Sequence, residues 1–377
     1  MNILFYLFRY PGYGGIEKVT KLISEELSQA YGISITILSF VQQESFPVMN
    51  GIILKKMPNS QKWLSSENYA YAENVIKNGN FDCIVYQDSY AETEKIICGF
   101  ASKYKIKLFT FEHSTPLIAF KSRINKPFLS YEGLKQRFFK MYSIIKSVKR
   151  KRYLLRHSDK YVLLSEQYIP EFAKSVLISP NNKKLTFINN PIEVVSGFVE
   201  CKKENVILCV CQLFYGKSVN LMIDLWSKLC TLLPDWKFVI VGDGKDRFSF
   251  EMQVRELNVP RVEFIGFANP TEYYKKAKIF WMMSRFEGSP MTLGETLQFG
   301  CIPIVYNSFS SLCDIIDDSK NGFIVKDLDE NTFMQKTLFL AYNEEKRLEM
   351  AEYAKESIKR FDVKNVAKKW INELFYL

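Results

Sequence analysis

The chain has 377 residues, 47% of them hydrophobic, which is more than a single core usually organises and argues for two domains. Its eight cysteines are scattered without a C-x-x-C pair and it has only two histidines, so the composition argues against a disulfide framework or a zinc site and for a reducing compartment. The net charge of +10 is concentrated in one place: residues 131–156, YEGLKQRFFKMYSIIKSVKRKRYLLR, hold nine basic residues against one acidic, and the rest is nearly neutral.

From the N-terminus, MNILFYLFRYPG lacks the basic segment and small-residue cleavage site of a signal peptide, and its apolar run stops at Arg9, which predicts a buried strand. No run approaches the roughly 18 apolar residues of a membrane-spanning helix, so a cytosolic protein is expected. Short β-rich runs then alternate with longer amphipathic ones, the pattern of α/β units with parallel strands. The first half predicts strands at 2–8, 33–39, 81–87, 107–112, 160–164 and 185–188, with helices near 15–30, 66–79, 90–103, 131–156 and 166–175. The rhythm restarts at NVILCVCQLF (205–214), followed by strands near 236–241, 262–265, 278–283, 302–306 and 322–325. Helices are predicted near 218–232, 246–257, 271–276, 291–299, 329–342 and 344–360. Between the halves, NNPIEVVSGFVECKKEN (189–205) has linker composition, so domains of 1–195 and 196–360 are expected. Two open, Rossmann-like α/β sheets facing across a cleft would bind ligands at the carboxyl ends of their strands.

The first strand-to-helix loop, RYPGYGGIEK, carries Gly12, Gly14 and Gly15. A dinucleotide fingerprint would need Gly or Ala where Glu17 stands, which leaves an anion or sugar site or an ordinary tight turn. In the second half four consecutive strand ends carry glycine, lysine or carboxylate: QLFYGKS with Gln212 and Lys217, VGDG with Gly242, FIGF with Gly266, and SRFEGSPMTLGE with Glu287 and Glu295. Lys217 and the backbone from Ser289 to Thr292 suit a diphosphate, with Ser289 a fit for a helix cap and Pro290 for a first turn. A carboxylate accepts paired sugar hydroxyls. Glu287 and Glu295, eight positions or about two helical turns apart, would reach the hexose and the ribose of one nucleotide sugar.

The segment SRFEGSPMTLGETLQFG (284–300) resembles the E-x7-E signature of retaining glycosyltransferases of family 4, which have the GT-B fold. The resemblance continues in order through GGIEK (14–18), FEHS (111–114), SDKYVLLSE (158–166), FINNPI (187–192), LFYGKS (213–218), FVIVGDG (238–244) and VEFIGF (262–267). It implies that Glu295 holds the donor ribose, Glu287 the hydroxyls of the transferred sugar, and Lys217 the diphosphate. It also implies donor contacts from Gly242, Gly266 and the backbone of Gly288, Ser289, Pro290, Met291 and Thr292. Gly15 would approach the donor from the opposite domain, and His113 would lie beside the donor sugar near the acceptor. The last segment, 361–377, would cross back to the first domain. Glu287, His113 and Lys217 thus form the implied catalytic set, acting by a front-face route with no covalent nucleophile and no metal or cofactor beyond the co-substrate, a UDP-linked sugar. The protein's share would be positioning and charge stabilisation.

Two departures stand out. Gln212, five residues before Lys217, occupies a position where the family usually has Arg, and Ser218 one where Gly is frequent. Gln donates a neutral hydrogen bond but supplies no charge. A GT-B nucleotide-sugar epimerase and a catalytically silent nucleotide-sugar-binding protein therefore remain as rivals to a transferase acting on a glycan or lipid-linked glycan for surface polysaccharide. In residues 131–156, Leu134, Phe138, Met141, Ile145 and Val148 recur at helical spacing. That stripe either packs on its own domain beneath a solvated basic face or docks on anionic lipid at the inner membrane face. Nucleic acid is disfavoured, because few aromatics interleave with the charge and no recognition motif accompanies it.

Overall fold

A computed structural model of the chain describes residues 1–43, 51–87, 92–121, 130–195 and 202–375. It divides into two compact units, Met1–Pro191 with Val363–Leu377, and Ile192–Asp362. Residue 196, the predicted boundary, lies outside the described residues.

The first unit is built on seven parallel strands: β1 (Asn2–Arg9), β2 (Ser34–Val41), β3 (Ile52–Lys56), β4 (Cys83–Tyr86), β5 (Lys107–Phe111), β6 (Lys160–Leu163) and β7 (Leu185–Phe187). Their order is β3-β2-β1-β4-β5-β6-β7, so the winding reverses between β1 and β4. The helices are α1 (Gly15–Tyr31), α2 (Ser66–Asn78), α3 (Glu94–Tyr104), α4 (Ile118–Lys121), α5 (Tyr131–His157) and α6 (Tyr168–Val176). Ile3 to Leu7 are buried without a break, because a parallel strand covered on both faces needs apolar residues pointing both ways.

The second unit repeats the plan with β8 (Glu204–Val210), β9 (Lys237–Val241), β10 (Val262–Gly266), β11 (Ala277–Met282), β12 (Ile302–Tyr306) and β13 (Phe323–Val325), ordered β10-β9-β8-β11-β12-β13. Its helices are α7 (Val219–Leu229), α8 (Arg247–Glu256), α9 (Thr271–Lys276), α10 (Met291–Gln298), α11 (Leu312–Ile315), α12 (Glu330–Tyr342) and α13 (Glu344–Ser357). The winding reverses between β8 and β11, so the loops leaving those two strands flank the crevice where such sheets hold ligands. A last helix, α14 (Val363–Trp370), packs on α1 in the first unit, where the Trp370 ring stacks 4.4 Å from Phe111 and 5.9 Å from Phe5.

Several elements differ from the sequence reading. Strand β3 was not expected, because an edge strand ending in two lysines and burying only Ile52 of its five residues carries no continuous apolar run. Strand β8 stops at Val210 rather than 214, since Tyr215–Lys217 forms a 3-10 turn. The helix predicted to reach 360 ends at Ser357 and continues as a 3-10 turn, Ile358–Phe361. The helix predicted from 90 begins at Glu94, and residues 88–91 lie outside the described residues.

Candidate functional site

At the switch point of the second unit, the loops after β8 and β11 are tied together by the Arg285 amide, which donates to the Gly216 carbonyl at 2.9 Å. A Cβ at Gly216 would stand 2.3 Å from the Phe214 ring and 3.0 Å from that of Phe286, so a larger residue there would force a ring to shift. This closure brings Lys217 Nζ within 2.5 Å of Glu287 Oε1, with side chains only 19% and 12% exposed. Burial alone would lower the lysine pKa, but the adjacent Glu287 carboxylate outweighs it and the net shift is upward. Lys217 therefore stays an ammonium. Sequence reasoning gave Lys217 to the diphosphate and Glu287 to the transferred sugar of one ligand, and in the structure the two side chains also bind each other.

The helix carrying the second glutamate starts differently from the expected Ser289 cap. Pro290 itself, with extended backbone, occupies the cap position, α10 runs from Met291, and no side-chain hydrogen bond caps it. Thr292 thus lies in a first turn whose amides point toward the Glu287 loop. That loop is held in turn by Ser311 Oγ, which donates to the Gly288 carbonyl at 2.7 Å. Glu295 is buried on α10 and its Oε2 accepts from Tyr274 Oη at 2.9 Å. Burial, reinforced by the carboxylate, raises the Tyr274 pKa well above its ordinary value, so the phenol remains a donor. Tyr274 was not legible in the sequence, because it reaches Glu295 from α9, an element with no motif of its own.

Two further strand ends complete the cluster. Gly242 has φ +138° and Gly266 φ +80°, conformations that L side chains rarely adopt. The Gly242 amide donates to the Gly266 carbonyl at 2.8 Å, and a Cβ at 242 would lie 1.9 Å from the Cys211 carbonyl oxygen. Gln212 follows β8 and is exposed.

In the first unit, Gly15 is the first residue of α1, and a Cβ there would meet nothing within 4 Å. His113 follows β5, its ring stacked 6.0 Å from Phe111, with Nε2 buried and unpartnered. Burial pushes its pKa down to about 4 against the opposing charge of Glu112, so the imidazole is neutral at physiological pH. Glu112 itself is buried and accepts from Tyr161 Oη at 2.7 Å and Ser114 Oγ at 2.9 Å, with Lys151 Nζ 3.9 Å away. Burial would raise the Glu112 pKa, but the Lys151 charge and these hydroxyls reverse the sign and hold it below the usual carboxylate value. Sequence reasoning missed this network; a carboxylate at the end of an apolar strand was its one signal, since such a group needs partners. His157, at the end of α5, places its Nδ1 2.7 Å from the Tyr153 carbonyl oxygen.

In the C-terminal part of α5, Lys151, Leu154 and Leu155 are buried, as is Gly133 near its start. Leu134, Phe138, Met141 and Ile145 are instead 52%, 65%, 58% and 47% exposed, joined by exposed Tyr131 and Tyr142. Among the described residues no helix is long and apolar enough to cross a membrane, and no three His, Cys, Asp or Glu side chains are grouped to hold a metal ion.

Two doubly wound parallel sheets, the second with carboxylates and a lysine gathered at its switch point, make up the GT-B fold seen in solved glycosyltransferase structures. Residues 197–357 match the family described as glycosyl transferases group 1. Over 195 residues, half of this chain, the sequence is 30% identical to the GalNAc-alpha-(1->4)-GalNAc-alpha-(1->3)-diNAcBac-PP-undecaprenol alpha-1,4-N-acetyl-D-galactosaminyltransferase of Campylobacter jejuni, spanning only 54% of that protein's length. It is 22% identical to the amylovoran biosynthesis glycosyltransferase AmsD of Erwinia amylovora over 95% of both chains. Among solved structures, Anabaena HepE in complex with UDP-glucose shares the fold over 100% of both chains, at 13% identity and a TM-score of 0.74.

Proposed function

We propose that the protein is a retaining glycosyltransferase of surface polysaccharide synthesis, moving a sugar from a UDP-linked donor to a glycan or lipid-linked glycan. The observation that carries this reading is the half-buried Lys217–Glu287 pair beside the start of α10. A leaving diphosphate needs a cation and amide donors, and the transferred sugar needs a hydroxyl acceptor. Lys217 and the first turn of α10 would take the first role and Glu287 the second, with Glu295 on the ribose. Gly242 and Gly266 would let the backbone approach the nucleotide, while His113 and Gly15 would serve from the first unit. Catalysis would rest on positioning and on charge stabilisation of an oxocarbenium-like state, with no metal. Incubation with a panel of nucleotide sugars and a lipid-linked glycan acceptor tests this. Acceptor-dependent release of UDP with retained anomeric configuration is expected; donor conversion without acceptor would instead indicate an epimerase, and binding without turnover a silent protein.

The acceptor side of the proposal adds an anionic bilayer at the inner face of the membrane, met by α5. Its support is the exposed face formed by Leu134, Phe138, Met141 and Ile145 among lysines and arginines, since apolar insertion and headgroup attraction reinforce one another. The protein should co-sediment with phosphatidylserine-containing vesicles and not with pure phosphatidylcholine. Replacing Lys135, Lys140 and Lys149 with Gln should weaken that binding at least about tenfold, since each basic residue near an anionic surface contributes on the order of 1 kcal/mol. Binding indifferent to anionic lipid would remove α5 from this role.

A further inference from the structure

The cluster at the second switch point has a charge balance that its sequence pattern does not reveal. Lys217 is paired at 2.5 Å with Glu287, so its charge is balanced inside the site. Position 212 carries an exposed, neutral Gln. A diphosphate arriving there would meet little net positive charge from the two positions the sequence pattern assigns to it.

Arg285 changes that balance. It lies two residues before Glu287, and its amide closes the two loops on the Gly216 carbonyl. Its guanidinium is stacked over the Tyr215 ring, 4.0 Å from the centroid, which fixes the plane of the fork. Two of its donors, Nε and Nη1, are buried with no hydrogen-bond partner. Charged N–H groups held out of water without an acceptor are costly, and a guanidinium edge matches two phosphate oxygens at once. A rigid, oriented fork beside a balanced ion pair is the form an anion-binding group takes when built in advance of its ligand.

We propose that Arg285 binds the phosphate oxygens of the donor diphosphate, supplying from the β11 end the positive charge that Gln212 does not supply from the β8 end. The proposal rests on the donor-site reading above. It is tested by titrating UDP and uridine into the full chain and into R285Q, R285K and the double variant R285Q with Q212R. R285Q should weaken UDP about 10- to 100-fold, the usual range for a lost hydrogen bond to a charged group, and leave uridine unchanged. R285K should recover only part of the loss, because an ammonium keeps the charge without the fork. Q212R should restore part of the affinity in the R285Q background. Unchanged UDP affinity in R285Q overturns the proposal, and if the KM for a diphosphate-linked acceptor rises instead, the guanidinium serves the acceptor. Equal loss of UDP and uridine also overturns it, assigning Arg285 to holding the loops together. Failure of the unaltered chain to bind either ligand overturns the donor-site reading itself, a result distinct from any behaviour of the variants.

Discussion

Glu287→Gln is expected to abolish most turnover while leaving nucleotide affinity intact or slightly improved. Gln keeps the shape of the side chain, so the loop held by Ser311 and by the Arg285 amide should persist. What disappears is the carboxylate charge 2.5 Å from Lys217. On the proposed reading that carboxylate orients the transferred sugar where positive charge develops at its anomeric carbon, and loss of one such preorganised group typically lowers kcat by about 10²- to 10³-fold. The freed Lys217 ammonium, no longer balanced, would attract the diphosphate at least as strongly as before. The discriminating readout is therefore a split: kcat measured with donor and acceptor falls, whereas the Kd for UDP does not rise. A purely structural role would weaken both together, and full turnover in the Gln variant would remove Glu287 from the reaction.

The same pair shows what a sequence can and cannot disclose. Four strand ends bearing glycine, lysine or carboxylate were legible because parallel strands buried on both faces give continuous apolar runs, and the loops after them stand out as polar punctuation. The switch point then follows from strand order alone, and it brings Lys217 to Glu287 across 70 positions. The partners that tune these groups were not legible. Tyr274 reaches Glu295 across 21 positions, Tyr161 reaches Glu112 across 49, and the Arg285 guanidinium meets Tyr215 only because two loops are zipped together. None of these contacts has a local spacing rule, since each is set by how separate helices and strands pack. The exposure of α5 was equally hidden: periodicity predicts an apolar face at 134, 138, 141 and 145 but does not say whether anything covers it.

The second large effect is expected in the first unit, at Trp370. The indole is 1% exposed and stacks on both Phe111 and Phe5, so α14 closes one face of the first unit with an aromatic sandwich. Trp370→Ala removes that filling and should cost about 3–5 kcal/mol, a large share of the roughly 5–15 kcal/mol that holds a domain together. Because the chain has two units, a single midpoint is a poor measure, and denaturant-dependent proteolysis read peptide by peptide separates them. Peptides from Met1–Pro191 should become sensitive at lower denaturant, with those from Ile192–Asp362 much less affected. Phe111 stacks with both Trp370 and His113, at 4.4 Å and 6.0 Å. The cavity should therefore also loosen the strand end that orients His113 and its neighbour Glu112. Trp370→Phe, which keeps an aromatic ring against Phe111, should recover much of the stability. Wild-type resistance in the Ala variant would mean that the C-terminal segment does not hold the first unit together, whatever its place in the sheet's packing.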